Sequence, residues 1–359
     1  MLRPFINALI AVAIMPTPFH AQSASRKHTD LPPIQAVPAC VDLPGGAPPA
    51  VKTPSFVDEP IQQLQRMVPG LRGIRIDADG KAAEAQDKSA FILDKTGTAI
   101  ASLLRRTPNL IATEEVRRPM ASRPIDGVGL DGALTDLEPD TLASALDLGA
   151  AGDRGARYEA YFFTYRIVRS RNASGANSFD EFRTDAHDRQ LDCSTQKVCE
   201  PFSMGFATTW MFFLPGNLRE SRFRYLGQQS IGNRKTYVLA FVRNPGDPGL
   251  DAVIEYGTGR CSTPLQGIAW IDQSTFQLVR VETDLLTPLP GIQLNQLRSI
   301  VHYGPVKIRG LNRTLWLPDE AGTTWQTASG FGDELHLYSH YELFKSTARI
   351  LPYGENPPR

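Results

Sequence analysis

The chain has 359 residues and carries 38 Lys and Arg against 38 Asp and Glu, so its formal net charge is zero. That balance excludes an overall electrostatic pull toward nucleic acid or an anionic membrane, and no nucleic-acid partner is expected. The length suits one large domain or two ordinary ones, and an apolar content of 42% is enough for a sizeable core.

Met1-Leu2-Arg3 is a short basic start, and Phe5 to Met15 is almost wholly apolar. Pro16 and Pro18 break the run, and small residues follow at Ala21, Ser23 and Ala24. This is the layout of a secretory signal peptide, too short to span a bilayer. Residues 1–22 therefore read as a signal segment, cut after Ala21 or Ser23; the competing reading is an uncleaved anchor. The mature chain is expected in the periplasm or at the outer envelope. No later segment is long and apolar enough to cross a membrane, since Phe206 to Pro215 holds two threonines.

Residues 23–56 are rich in Pro, Ala and small polar residues and read as a tail or linker, because such a stretch cannot bury enough apolar surface to offset its ordering entropy. The remainder, 57–350, reads as a single helix-plus-sheet domain, with 351–359 as a C-terminal tail. A helix is predicted over Asp58 to Met67, with Pro60 in its first turn and Pro69-Gly70 at its end. A second is predicted over Ala90 to Arg106, closed by Pro108, with Gly97 and two threonines weakening its middle.

From Ile111 the apolar pattern changes to period two. Arg157 to Arg169 is dense in aromatic and β-branched residues and predicts a strand, with Ser178 to Thr184 as its partner. Pro119 to Asp153 reads as an insertion with a short helix near Leu142. Phe206 to Leu214 predicts a short, very apolar helix. Hairpins follow: Phe223–Ser230 with Lys235–Arg243 around Gly232-Asn233; Pro264–Ile271 with Phe276–Leu285; Leu297–Ile308 with Thr314–Leu317; Gly322–Ala328 with Glu334–Phe344. Two helices followed by meandering strands predict a mainly β fold: one curved antiparallel sheet, or unclosed barrel, with two or three helices on one face.

Four cysteines, Cys40, Cys193, Cys199 and Cys261, suit two disulfides in an exported chain. Three connectivities are open; Cys193–Cys199 with Cys40–Cys261 is favoured. Paired C-x-x-C spacing and a nearby His are both missing, which argues against zinc. Val37-Pro38-Ala39 before Cys40 is not a lipidation motif.

Several apparent motifs fail on context. His336 and His340 have a zinc-ligand spacing if helical, but the surroundings alternate as in a strand. There the two lie about 13 Å apart and cannot share an ion. A solvated strand face carrying Glu334, His336, Tyr338, His340 and Glu342 is expected instead. Gly127 to Gly132 matches G-x-G-x-x-G without a leading strand. Asp77-Ala-Asp79-Gly80 lacks calcium-loop ligands in register. The sequons at Asn172 and Asn312 mean nothing without the right host. No nucleophile elbow occurs, and the acid pairs Glu114–Glu115 and Asp180–Glu181 point to opposite strand faces. No catalytic residue, metal ligand or cofactor is expected.

The most unusual stretch is apolar: Phe202, Phe206, Trp210, Met211, Phe212, Phe213 and Leu214. It is either a core helix or the wall of a greasy cavity, with Trp270 and Trp325 lining the same interior. Phe206, Trp210, Phe213 and Trp270 are the candidate ligand-binding residues.

Ser221 to Gly227, Lys235 to Phe241, Gly267-Ile-Ala-Trp-Ile-Asp272, Thr314 to Pro318 and Tyr338 to Phe344 together resemble a group of uncharacterised exported bacterial proteins. Their hairpins are similar to the lipoprotein-carrier superfamily of the LolA and RseB type. The resemblance covers roughly 57–347. It implies an unclosed β-barrel with helices capping its mouth, acyl chains bound inside, and no catalytic residues. The chain departs from small carriers in its size, its Pro-rich tail, the 119–153 insertion and its cysteines. Three functions follow for testing: a non-enzymatic carrier or sensor holding a lipid or acylated partner; an envelope module binding protein through strand edges or the tail; and a hydrolase on envelope polymers, which needs two convergent carboxylates or a triad.

Overall fold

The computed structural model describes residues 54–76, 82–119, 158–171, 177–184, 208–244, 252–256, 259–289, 294–327 and 330–344. Two helices, α1 (Ile61–Met67) and α2 (Ala82–Arg106), precede the strands. The strands are β1 (Leu110–Pro119), β2 (Tyr158–Arg171), β3 (Asn177–Thr184), β4 (Ser221–Ile231), β5 (Arg234–Arg243), β6 (Ala252–Tyr256), β7 (Gly259–Thr263), β8 (Leu265–Asp272), β9 (Leu278–Leu285), β10 (Leu294–Lys307), β11 (Thr314–Thr327) and β12 (Gly330–Leu343). Ten of them form one antiparallel sheet in the order β3-β2-β1-β12-β11-β10-β9-β8-β5-β4, while β6 and β7 pair separately. The large sheet is unclosed, with β3 and β4 at its edges. It is held together by β1, which pairs with β12 at the far end of the chain.

Alternation along the strands divides the core in two. On β5, Leu239 and Phe241 join one cluster, and Val238 and Ala240 join the other; on β8, Ala269 and Ile271 oppose Ile268 and Trp270. Neighbouring strand residues face opposite ways, so the two clusters lie on the two faces of the sheet. The inner face receives α2 and a 3-10 helix at Thr208–Phe213. The outer face receives Phe56, α1 and the 3-10 turn Pro69–Leu71, through Leu64, Val68, Leu71 and Ile74. The helices are thus shared between the faces. Phe56, at the end of the expected tail, is core, and its N–H bonds Gln266 Oε1 at 2.8 Å.

The outer strap is tied down by side chains that satisfy its carbonyls. Arg298 donates to Met67 O at 2.7 Å, Arg224 to Glu59 O at 2.5 Å, and Gln229 to Gly70 O at 2.9 Å and Arg72 O at 2.8 Å. α2 buries Ile92, Leu93, Thr96, Ile100, Leu103 and Leu104, a stripe at helical spacing. Its large apolar members contribute about 1.5–3 kcal/mol each. Arg169 closes the helix by donating to the carbonyls of Leu104, Arg105 and Thr107 at 3.0, 2.7 and 3.0 Å, and Arg313 caps Arg106 O at 2.6 Å.

Three elements differ from the sequence expectations. α2 begins at Ala82, eight residues early, in a stretch whose helicity rests on propensity without apolar periodicity. The apolar segment forms a short 3-10 helix over Thr208–Phe213. The two strands expected on either side of Pro318 are one strand, β11 (Thr314–Thr327), because Pro318 sits at a bulge. The pairing runs Tyr303↔Pro318 and then His302↔Glu320, so Asp319 is the extra residue and the missing proline N–H breaks no ladder. Gly267 permits the close packing of β8. A Cβ there would fall 2.2 Å from the Glu282 backbone oxygen.

Cys40, Cys193, Cys199, Phe202, Phe206, Asp77–Gly80, Gly127–Gly132 and Asn172 lie outside the described residues, as do the signal segment, most of the 119–153 insertion and 351–359. Cys261 lies on β7.

Candidate ligand groove and the buried ionic cluster

α2 has a second, partly exposed stripe at helical spacing, Lys95, Thr98, Ala99, Ser102 and Arg106, and this stripe forms one wall of a groove of about 550 Å³. Large side chains there would close the space; Ala99 and Ser102 leave it open. The opposite wall comes from the β8–β9 turn (Thr275, Phe276, Gln277), from Pro305 of β10, and from Leu315 and Trp316 at the start of β11. Leu103 forms part of the floor. The other flank of α2 packs tightly: a Cβ on Gly97 would meet the Pro215 ring at 3.0 Å and Phe213 O at 3.1 Å. The 3-10 helix therefore holds α2 at a set distance from the sheet.

Phe276 gives the groove its mouth. It has φ 56°, a left-handed conformation that costs a bulky residue of order 1 kcal/mol or more. The turn enforces it: Phe276 N–H bonds Asp272 O at 2.9 Å, and Asp272 Oδ1 accepts from the N–H groups of Ser274 and Thr275 at 2.9 and 2.8 Å. Burial pushes the Asp272 carboxyl up, but these bonds and Arg234 outweigh it and hold it at about 2. The Phe276 ring meets half-exposed Phe91 edge-on at 5.8 Å and stacks on Tyr237 at 6.2 Å. The Trp316 indole N–H donates to Leu278 O, and the Arg234 guanidinium lies 4.6 Å over its ring. Among the described residues, Lys95, Arg106 and Arg313 are the charged members of the lining, and none is a carboxylate.

A second polar feature lies on the inner face. Glu114 and His336 are fully buried, and Arg183 nearly so. The Arg183 guanidinium binds Glu114 through two nitrogens, Nη2 at 2.6 Å from Oε1. His336 Nδ1 lies 3.0 Å from Glu114 Oε1 and 3.2 Å from Arg183 Nη2, and Nε2 lies 3.5 Å from Glu334 Oε2. Arg118 reaches Glu334 at 3.4 Å. Burial alone would raise the Glu114 carboxyl; Arg183 and His336 outweigh it and hold it at about 2. Asp333 beside them is pushed up to about 6 by burial and by Glu334.

This corrects the solvated face expected for β12. Glu334, His336 and Tyr338 share a face as predicted, but the face is interior. His340 has φ 51° and the β1 register slips between Ile111 and Thr113. That bulge turns His340 out to solvent and Tyr341 in. His336 and His340 do not converge, and no metal-binding group is found among the described residues.

Of the four sequence candidates, the fold brings Trp210 and Phe213 together in the inner core. Trp210 packs against Phe179 at 6.3 Å and Tyr303 at 6.1 Å, and Phe213 against Phe241 at 5.5 Å. Trp270 lies on the other face, its indole N–H donating to Gln229 Oε1 at 2.8 Å. Trp325 packs on the inner core. Sequence reasoning missed Phe276, Trp316 and the small-residue stripe of α2; the signal for the stripe was the Thr-Gly-Thr-Ala run that weakens an otherwise amphipathic helix.

No family model and no curated protein matches the chain. Among solved structures, it is similar to a DUF1329 family protein from Desulfovibrio piger, with 8% identity, 72% of this chain and 95% of that one covered, and a TM-score of 0.36. A putative outer membrane lipoprotein-sorting protein domain from Vibrio parahaemolyticus has 11% identity, coverages of 71% and 92%, and a TM-score of 0.35. A LolA superfamily protein from Nitrosomonas europaea has 14% identity, coverages of 74% and 94%, and a TM-score of 0.29.

Proposed function

We propose that this is an exported binding protein that holds an acyl chain, of a lipid or an acylated protein, in the groove between α2 and the β8–β11 rim. The observation that carries the reading is the groove itself. It has a volume of about 550 Å³ and is walled by Ala99, Leu103, Phe276, Pro305, Leu315 and Trp316. That volume lies within the range of small-molecule sites, and these six residues make the exposed wall surface mainly apolar, although eight of the fourteen lining residues are polar or charged. Each buried methylene would contribute about 0.8 kcal/mol. Trp210 and Phe213 then act beneath the groove, packing the support on which α2 rests.

Trp316 supplies the test. A stearic acid brominated at mid-chain should quench part of the tryptophan fluorescence of the full chain, and that part should vanish in Trp316→Phe. A folded protein whose fluorescence is untouched at saturating brominated lipid would refute the reading and favour the envelope interaction module.

A further inference from the structure

We infer that the groove selects anionic amphiphiles, with a phosphate or carboxylate head at the rim and the chain between α2 and the sheet; this rests on the groove reading above. The argument is one of charge. Among the described residues, three cations, Lys95, Arg106 and Arg313, line the groove and no acidic side chain does, in a chain whose acids and bases balance. Random mixing would place carboxylates and cations in equal number. The cations are also held without full neutralisation. Among the described residues, Lys95 has a 3.8 Å pair with exposed Asp94 and lies 5.8 Å from the Phe91 ring. Arg313 uses Nη2 to cap the Arg106 carbonyl.

Arg106 and Arg313 stand at the C-terminal end of α2, where cations also suit the helix dipole. That role explains Arg106 and Arg313 but not Lys95, which lies three turns earlier on the same stripe. A site running from Lys95 to Arg106 spans about 16 Å at 1.5 Å per residue. This is the length of an extended chain of roughly a dozen carbons, so either end of the groove can receive the head. A neutral head of equal chain length can hydrogen-bond Thr98, Ser102, Thr275, Gln277 or Thr314 but gains no charge contact, and a cationic head meets like charge.

The test compares dodecyl phosphate, dodecanoate and dodecanol binding to the full chain by equilibrium dialysis, alongside the variant Lys95→Gln/Arg106→Gln, which leaves the Arg313 cap in place. The two anions should bind about tenfold tighter than dodecanol at low salt, as expected of two or three exposed charge contacts. The gap should close in the variant and in high salt, with dodecanol unchanged. Inorganic phosphate at matched ionic strength should not displace dodecyl phosphate. Equal binding of all three amphiphiles by wild type and variant would overturn the charge inference and leave the groove reading standing. Displacement by free phosphate would overturn it too, making the rim a plain anion site. If no amphiphile binds and brominated stearate leaves Trp316 unquenched, the groove reading itself fails.

Discussion

Filling the groove should abolish ligand uptake while leaving the protein folded, and Ala99→Phe is the cleanest perturbation. Ala99 lies on the α2 wall at the level of Ser102 and Leu103, and its neighbours across the gap are groove residues rather than packed core. A phenylalanine there adds side-chain surface where there is now space. A buried aromatic ring covers on the order of 150 Å². A methylene worth about 0.8 kcal/mol at about 25 cal/mol per Å² corresponds to roughly 30 Å², so the ring displaces about five methylenes of ligand. The expected loss is about 4 kcal/mol, or near a thousandfold in Kd. Stability should hold or rise slightly, because the ring covers Leu315 and Trp316 and removes no contact. Native mass spectrometry against a lipid extract, with dialysis of labelled dodecanoate, reads the affinity; a urea melt reads the fold. A folded Ala99→Phe protein that binds dodecanoate within threefold of wild type would refute the placement of the chain between α2 and the sheet.

The buried ionic cluster makes its own predictions. Glu114→Gln keeps the shape but removes the carboxylate charge paired with Arg183 in a buried site, which should cost about 3–5 kcal/mol in a urea melt; a cost under about 1 kcal/mol would show that the pair is not the mainstay of the β1–β3 end. The folded carboxyl at about 2 lies below its unfolded value, so its stabilisation is complete above about pH 4.5 and is lost as pH falls toward 2; that acid loss should be smaller in Glu114→Gln. His302 titrates the opposite group type with the same consequence. Burial, with Arg280 nearby, depresses it from 6.5 to about 4. The unfolded chain takes up that proton first, so about 1–2 kcal/mol of stability should disappear between pH 6.5 and 4, discounted for its partial exposure. His302→Gln should flatten the stability profile in that window, and an unchanged slope would count against a buried neutral imidazole.

The sheet was legible because its signals are local. Gly232-Asn233 fixes the β4–β5 turn, and Pro264 to Ile271 reads as a hairpin strand, which the structure then buries along all eight residues of β8. Where the sequence misled, a distant partner decided. Pro318 reads as a strand stop on its own, yet pairing with β10 places a bulge at Asp319 that absorbs the proline. Glu334 and His336 read as solvent-facing because charged residues alternate with leucines on β12. They become interior only because β1 returns more than two hundred residues earlier in the chain to pair there, and Arg183 on β3 supplies a buried counter-charge. Periodicity reports that two faces exist, and it cannot report which face the rest of the chain will cover.

The same limit explains the site. Aromatic crowding marks where the chain is greasy, and Trp210 and Phe213 indeed lie deep in the core. A binding groove, however, is defined by volume that no side chain fills, and small residues carry no hydrophobic signal. Thr98, Ala99 and Ser102 register in sequence only as a weak stretch of helix; the wall facing them is assembled from a turn and two strands that lie between 170 and 220 residues away. The turn strain at Phe276 ties the two together. A bulky residue at φ 56° is held in place by the Asp272 bonds of its own turn and by rings from β5 and α2. Such strain persists only where the surroundings over-determine it. It therefore identifies the β8–β9 turn as the part of the rim whose geometry the fold maintains at a cost, and that turn forms the mouth of the groove.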